Sequence, residues 1–272
     1  MQRNNKSDNT VAKEQAKPRS YAPQTFLKAI DILSCFTFEK PELTSSEISK
    51  MLKISPSTIY RYLAAMEQED YLIRIENTNR YALGLSVVAI SSVALCRSNI
   101  RLHGEPILKT LSEELGLSAN LGVLFKGSVL HIAFSTFNEV DKLYSIVGRC
   151  SGLTCTAMGK VLLSSLSMSE VNSIVKKYGF AICTPNSIND LRRLEKELLL
   201  IQERKYAVDN EEKKIGVRCL AVPIRQQGGK IVAAMSVTSR DADRFNAEFD
   251  KMLRVLLDNA DVFSSKLGYF RN

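Results

Sequence analysis

The 272-residue sequence lacks the runs and clusters that would mark several classes of function. It has no apolar run of eighteen or more residues, so no helix is expected to cross a membrane. The first twenty residues, MQRNNKSDNTVAKEQAKPRS, have no apolar core, which argues against a secretory signal. Six cysteines (Cys35, Cys96, Cys150, Cys155, Cys183, Cys219) are scattered without a CxxC pair. A disulfide framework is therefore not expected, and the thiols read as reduced, in a cytoplasmic protein. The two histidines, His103 and His131, do not stand at ligand spacing from a cysteine pair, so neither a zinc site nor any other metal or cofactor is expected. No internal repeat is visible.

What is present is ordinary globular material, 45% hydrophobic and 24% charged, long enough for two modest domains. The net charge of +8 favours a polyanionic partner only weakly. Residues 1–84 hold 12 Lys/Arg against 10 Asp/Glu, a net of +2, so placement must locate any DNA surface.

Residues 1–20 are polar and predict a flexible tail. Residues 23–38 space Phe26, Leu27, Ile30, Leu33 and Phe36 as an amphipathic helix. A second helix is expected over 44–52, with Thr44 and Glu47 at capping-box spacing and Ile48, Met51 and Leu52 facing inward. After Lys53-Ile54, Ser55-Pro56 is a strong start signal, and Ile59, Leu63 and Met66 turn the helix it opens towards a core. YLIRI (71–75) and RYAL (80–83) form a hairpin around ENTN. Three helices and a hairpin ending at Gly84 make a winged helix-turn-helix over 21–84.

Residues 85–103 predict a helix apolar on more than one face, which needs a covering partner; a linker that helps form a dimer is expected. Over 104–272 the pattern is mixed. Hairpins turn at Lys126-Gly127 and Gly228-Gly229, and a strand is expected at 142–148. Helices are expected at 106–116, 156–166, 168–179, 188–207 and 245–268. The fold class is α+β with an antiparallel sheet.

Two helices joined by a short turn place the first turn of the second in a DNA major groove. Lys53, Ser55, Ser57, Thr58, Tyr60 and Arg61 are the candidate contacts there, and Arg80 on the wing, beside Arg74, Asn77 and Asn79, can reach the adjacent backbone. No carboxylate lies between Glu47 and Glu67, as a phosphate surface requires.

FLKAIDIL, SPSTIYRYLAAMEQEDYL, RYALG, TAMGK, YAVDNEEKKIGVRCLAVPI and the SVT after it resemble the IclR family of bacterial regulators, from about residue 23 to near the end. The resemblance implies a dimerising linker helix, a C-terminal GAF-like effector domain, and homodimers or homotetramers on double-stranded operator DNA. It implies a small-molecule effector such as a carboxylate, sugar acid or aromatic acid, with repression the expected mode. Matched by position, the effector residues are Ala157 and Met158 before a helix, Asp209, Cys219, and Ser236 and Thr238 on one strand face. Lys53 stands where the family often has glycine, Ser49 where a small apolar residue is usual, and Met158 is larger than the usual residue. No arginine belongs to the pocket set.

Two other functions stay open at this point. A cysteine-dependent enzyme would have to bring Cys155 or Cys219 to His131, the one histidine off the linker. A DNA-bound protein without effector would use its second domain for oligomerisation alone. His131, between Leu130 and Ile132, otherwise reads as a satisfied core histidine.

Overall fold

A computed structural model describes residues 23–137 and 146–270. The expected tail at 1–20 and most of the expected strand at 142–148 lie outside them, and the described end of that strand, 146–148, is not extended. Contacts divide the chain into two compact units, Met1–Ile90 and Ser91–Asn272.

The first unit contains α1 (Gln24–Leu33), β1 (Glu42–Thr44), α2 (Ser45–Leu52), α3 (Pro56–Gln68), β2 (Leu72–Arg74) and β3 (Arg80–Leu83). The three strands form an antiparallel sheet in the order β1-β3-β2. The hairpin is the one expected; β1, three residues long, is too short to carry a period and was not expected. Ile32, Cys35, Leu43, Ile48, Ile59, Leu63, Leu72 and Tyr81 form one buried cluster. Thr44 and Glu47 make the full capping box, with Glu47 N at 3.2 Å from Thr44 Oγ1 and Thr44 N at 2.7 Å from the Glu47 carboxylate. The inward assignment of Met51 is corrected, because it is exposed, and Phe26 and Ile30 on the amphipathic stripe of α1 are exposed as well. The small core is closed by Ile32, Cys35 and Phe36, so α1 points a different edge of its wide apolar stripe inward and ends at Leu33.

The expected helix over 85–103 is two. α4 (Leu85–Cys96) ends before Ser98, whose hydroxyl caps α5 (Asn99–Leu115) by accepting from Arg101 N at 3.3 Å. None of α4's residues is buried in the single chain.

The second unit adds β4 (Ser118–Phe125), β5 (Ser128–Ser135), β6 (Cys150–Gly152), α6 (Ala157–Leu163), α7 (Met168–Tyr178), α8 (Leu191–Arg204), β7 (Ala207–Asn210), β8 (Arg218–Arg225), β9 (Ile231–Ser239), α9 (Ala242–Ala247) and α10 (Phe249–Lys266). The sheet runs β6-β5-β4-β9-β8-β7, antiparallel throughout. Both expected hairpins are present, and Lys126 (φ 45°) and Gly127 (φ 78°) make the first tight turn. α8 stops at Arg204 on left-handed Lys205, short of the expected end at 207, so that Ala207 opens β7 instead. The expected closing helix is interrupted at Glu248.

α5 and α10 cover one sheet face, burying Leu108, Leu111, Leu121, Met235, Leu256 and Phe263. α6 lies on the other, over Ala207, Ala221 and Ala234. These small floor residues let α6 approach closely. At Gly159 the fit is absolute, since a Cβ there would stand 2.2 Å from the Leu153 carbonyl oxygen.

Candidate DNA-reading surface and effector pocket

α3 begins as its sequence dictates. Ser55 caps it, accepting from Thr58 N at 3.4 Å, and Pro56 takes the first helical position. Ile59 and Leu63 are fully buried, which turns Ser57, Tyr60 and Arg61 to solvent. Lys53, also exposed, is left-handed at φ 56°, the conformation that explains why glycine suits this place; Ser49 braces the turn by donating to the Ile54 carbonyl at 2.6 Å. Four of the expected contacts have partners within the protein, Ser57 Oγ lying 3.3 Å from Ser55 Oγ. Thr58 Oγ1 lies 2.8 Å from Ser55 Oγ, and Arg80 donates to the Glu42 carbonyl at 3.1 Å and sits 3.6 Å from the Glu47 carboxylate.

The second site lies on the α6 face of the large sheet. Register puts Asp209 opposite Cys219 and Cys219 opposite Thr238; one row along, Asn120 stands opposite Ser236. Residues two apart share a face, so all five project together. Cys219 Sγ lies 3.3 Å from Thr238 Oγ1. Thr156 caps α6, receiving Gly159 N at 3.1 Å, and Ala157 and Met158 follow it. The Met158 sulfur lies 3.3 Å from where a Cβ would stand on Gly122, so Met158 reaches across the sheet towards β4.

The loop 209–213 wraps around Asp209, whose Oδ1 accepts from Glu212 N at 2.7 Å and Lys213 N at 3.3 Å. Its other oxygen, Oδ2, is buried without a hydrogen-bond partner. Burial is the main reason its pKa is pushed up to about 6, with the Glu212 charge adding to it. Beneath the loop, Lys160 is only 2% exposed, donates to the Val208 carbonyl and to Glu212, and lies 3.4 Å from Glu197.

Sequence reasoning missed the basic corner of this pocket. Lys213 Nζ donates to Ser151 Oγ at 2.7 Å, and Ser151 Oγ lies 2.8 Å from His131 Nε2. The Lys213 charge is near enough to act on His131, Cys155 and Cys219. Nothing in the sequence signals this, because Ser151 and Lys213 meet across sixty-two positions. His131 is buried and bonded as expected, its pKa lowered to about 4 by burial and then by Lys213 and Arg149. Burial raises the Cys155 and Cys219 thiols to about 12, so both are protonated at neutral pH. The partner of His131 Nε2 is Ser151, not the thiol that a cysteine-dependent enzyme would require. A separate groove of about 700 Å³ opens near the C-terminal end of α6, among Leu124, Leu162, Pro223 and Ile231; no sequence-predicted effector residue lines it, and it holds no orphaned polar atom.

Comparison with known proteins covers both units. The IclR helix-turn-helix domain model matches residues 26–74, and the model of the bacterial transcriptional regulator IclR C-terminal domain matches residues 92–265. The chain is 28% identical over 246 residues to the HTH-type transcriptional regulator XynR of Escherichia coli K12, covering 90% of this chain and 98% of XynR. The crystal structure of Thermotoga maritima IclR is 30% identical with a TM-score of 0.67, covering 90% of this chain and 99% of that one. An IclR homologue from Microbacterium hydrocarbonoxydans, solved in complex with 4-hydroxybenzoate, shares the fold at a TM-score of 0.74 and 19% identity, covering 90% of this chain and 99% of its own. With the helix-turn-helix model matched in one unit and the C-terminal model in the other, this chain belongs to the IclR family of DNA-binding, effector-controlled transcription regulators.

Proposed function

We propose that the pocket around Asp209 is the effector site and that the effector is a small carboxylate bearing a hydroxyl group. The observation that carries this reading is Asp209 Oδ2, a buried carboxylate oxygen with no partner. A buried acceptor left unpaired costs about 1–3 kcal/mol, a cost that a ligand hydroxyl donating to it removes. Lys213 supplies the positive charge for the ligand carboxylate, aided by the backbone N–H groups of Ala157 and Met158. Cys219, Ser236 and Thr238 form the wall, and Met158 sets the size. The 4-hydroxybenzoate bound by the Microbacterium homologue has this combination of groups.

In this reading the chain is a repressor in the cytoplasm with no catalytic role, working as a homodimer or homotetramer. Its functional divisions are a reading head at 21–84, a linker at 85–103 and an effector domain at 104–272. Lys53, Ser55, Ser57, Tyr60 and Arg61 meet DNA. Ser55, Ser57, Thr58 and Arg80 reach it by giving up or sharing the bonds they make within the protein. The apolar α4, with Leu85, Val88 and Val93 exposed, is covered by the same helix of a second copy. A coupling of about 1–3 kcal/mol between effector and operator suffices for a useful switch.

Thermal-shift screening and calorimetry test the assignment with 4-hydroxybenzoate and a series of hydroxylated sugar acids, each beside its neutral amide. At least one acid should raise the melting temperature, its amide should not, and Lys213→Met should lose the response. Amides that bind as tightly as the acids would remove Lys213 from the reading. A fully silent series would favour the effector-free oligomerisation protein.

A further inference from the structure

We propose that Cys155 and Cys183 form a redox pair, which a hydroperoxide converts to a reversible disulfide that fastens the loop leading into α6. Their sulfurs lie 3.7 Å apart. A disulfide requires about 2.05 Å, an approach of less than 2 Å that turning the exposed Cys183 side chain provides. The two thiols differ in a useful way: Cys183 is exposed and Cys155 is buried. An oxidant in solution reaches Cys183 first. Burial keeps Cys155 protonated, so it is not the thiol that the oxidant attacks first.

In the first step the Cys183 sulfur takes one oxygen of the hydroperoxide. The O–O bond breaks, and the other oxygen leaves as water or alcohol with the thiol proton. In the second step the Cys155 sulfur attacks the resulting sulfenic acid. The S–S bond forms, the S–O bond breaks, and the hydroxyl leaves as water with the Cys155 proton. The two thiols lose two electrons and the peroxide gains them. Disulfides in reducing compartments are usually transient and sensing.

The bridge would join the loop before α6 to the segment that holds the Asp209 loop. Thr154 Oγ1 already accepts from Ala181 N at 2.9 Å, and one residue beyond Cys155 stands Thr156, the cap of α6. On the other side Ser187 Oγ accepts from Cys183 N at 3.0 Å and donates to the Glu212 carbonyl at 2.6 Å, while Thr184 donates to the Glu211 carbonyl at 2.7 Å. The segment 181–187 is thus strung between the α6 cap and the Asp209 loop. Redox state becomes a second input to the domain, whatever the effector is.

The test uses reduced full-length protein, treated with hydrogen peroxide at neutral pH, alkylated after denaturation and mapped by mass spectrometry. One internal link between the Cys155 and Cys183 peptides is expected, two hydrogens lighter and reversed by dithiothreitol. Closing this 29-residue loop should raise the melting temperature by roughly 5–10 °C. Cys183→Ser, at an exposed position, should form no link. Cys155→Ser should accumulate a Cys183 sulfenic acid that dimedone traps. Recovering Cys155 as a free thiol from fully oxidised protein, or a link to any other cysteine, overturns the proposal.

Discussion

Replacing Asp209 with asparagine should stabilise the protein at neutral pH while abolishing its response to effector. Asp209 is 1% exposed, and burial raises its pKa from 3.8 to about 6. The folded state therefore holds this proton more tightly than the unfolded chain. Stability falls as pH rises from about 4 to about 6, and above that the full cost is present. Two pH units at about 1.4 kcal/mol each come to about 3 kcal/mol. Asparagine keeps Oδ1 as the acceptor for the Glu212 and Lys213 N–H groups and removes the charge. Its amide nitrogen takes the place of the unpartnered Oδ2, at a cost of about 1 kcal/mol. The net gain is about 2 kcal/mol at pH 7.5, falling to about zero at pH 4.5. His131 works on the same interval with the opposite sign. Its pKa is lowered from 6.5 to about 4, so the stability it contributes is present above 6.5 and lost as pH falls towards 4. In the native chain the two slopes offset each other, and the asparagine variant uncovers the histidine's. Urea unfolding followed by circular dichroism at both pH values measures the difference. A gain equal at both values, or a loss at pH 7.5, refutes the picture of a buried carboxylate held without its ligand.

Arg61→Ala should weaken binding to operator fragments in mobility shifts by about 1–3 kcal/mol if the guanidinium reads a base, and lower the salt slope by about 0.9 if it meets a phosphate. Sedimentation of that variant should show its oligomeric state unchanged; unaltered affinity would remove Arg61 from the interface. Val93→Asp, on the exposed apolar helix α4, should drive the protein towards monomer in sedimentation velocity, and an unshifted profile would place the interface elsewhere. Lys160→Met should cost about 3 kcal/mol in urea unfolding, because it strands the buried Glu212 carboxylate, while Glu197 keeps Arg204 at 2.7 Å; a neutral result would mean that water already screens Glu212.

The reading helix was legible because its determinants are local. Ser55-Pro56, the spacing of Ile59 and Leu63, and the Thr44–Glu47 box each act within one or two turns, and each reappears as a hydrogen bond or a buried side chain. The failures share a different cause. Phe26, Ile30 and Met51 satisfy a helical period, but a core of three short helices cannot cover every apolar residue they offer. β1, β6 and β7 are three or four residues long, and they are strands only because a longer neighbour supplies the ladder. Tertiary pairing decides such segments, and no window along the chain contains it.

The pocket divides along the same line, and the division bears on its chemistry. Its wall, Asp209, Cys219, Ser236 and Thr238, lies on three adjacent strands whose register follows from one hairpin and one edge pairing, so resemblance could carry it over by position. Its charge balance could not be carried over. Counted along the chain, the set held one acid and no cation, which would have disfavoured a carboxylate ligand. Folding brings Lys213 to Ser151 and leaves Asp209 Oδ2 without a partner. The pocket thereby offers a cation for an acid and an acceptor for a hydroxyl. A ligand that lacks the hydroxyl leaves Asp209 Oδ2 unpaired in a buried site. Discrimination against it then comes from that unpaired group rather than from shape, and is worth several-fold to a hundredfold in affinity at about 1–3 kcal/mol. For this reason, comparing each acid with its own amide and its own deoxy analogue says more about the site than screening acids of different size.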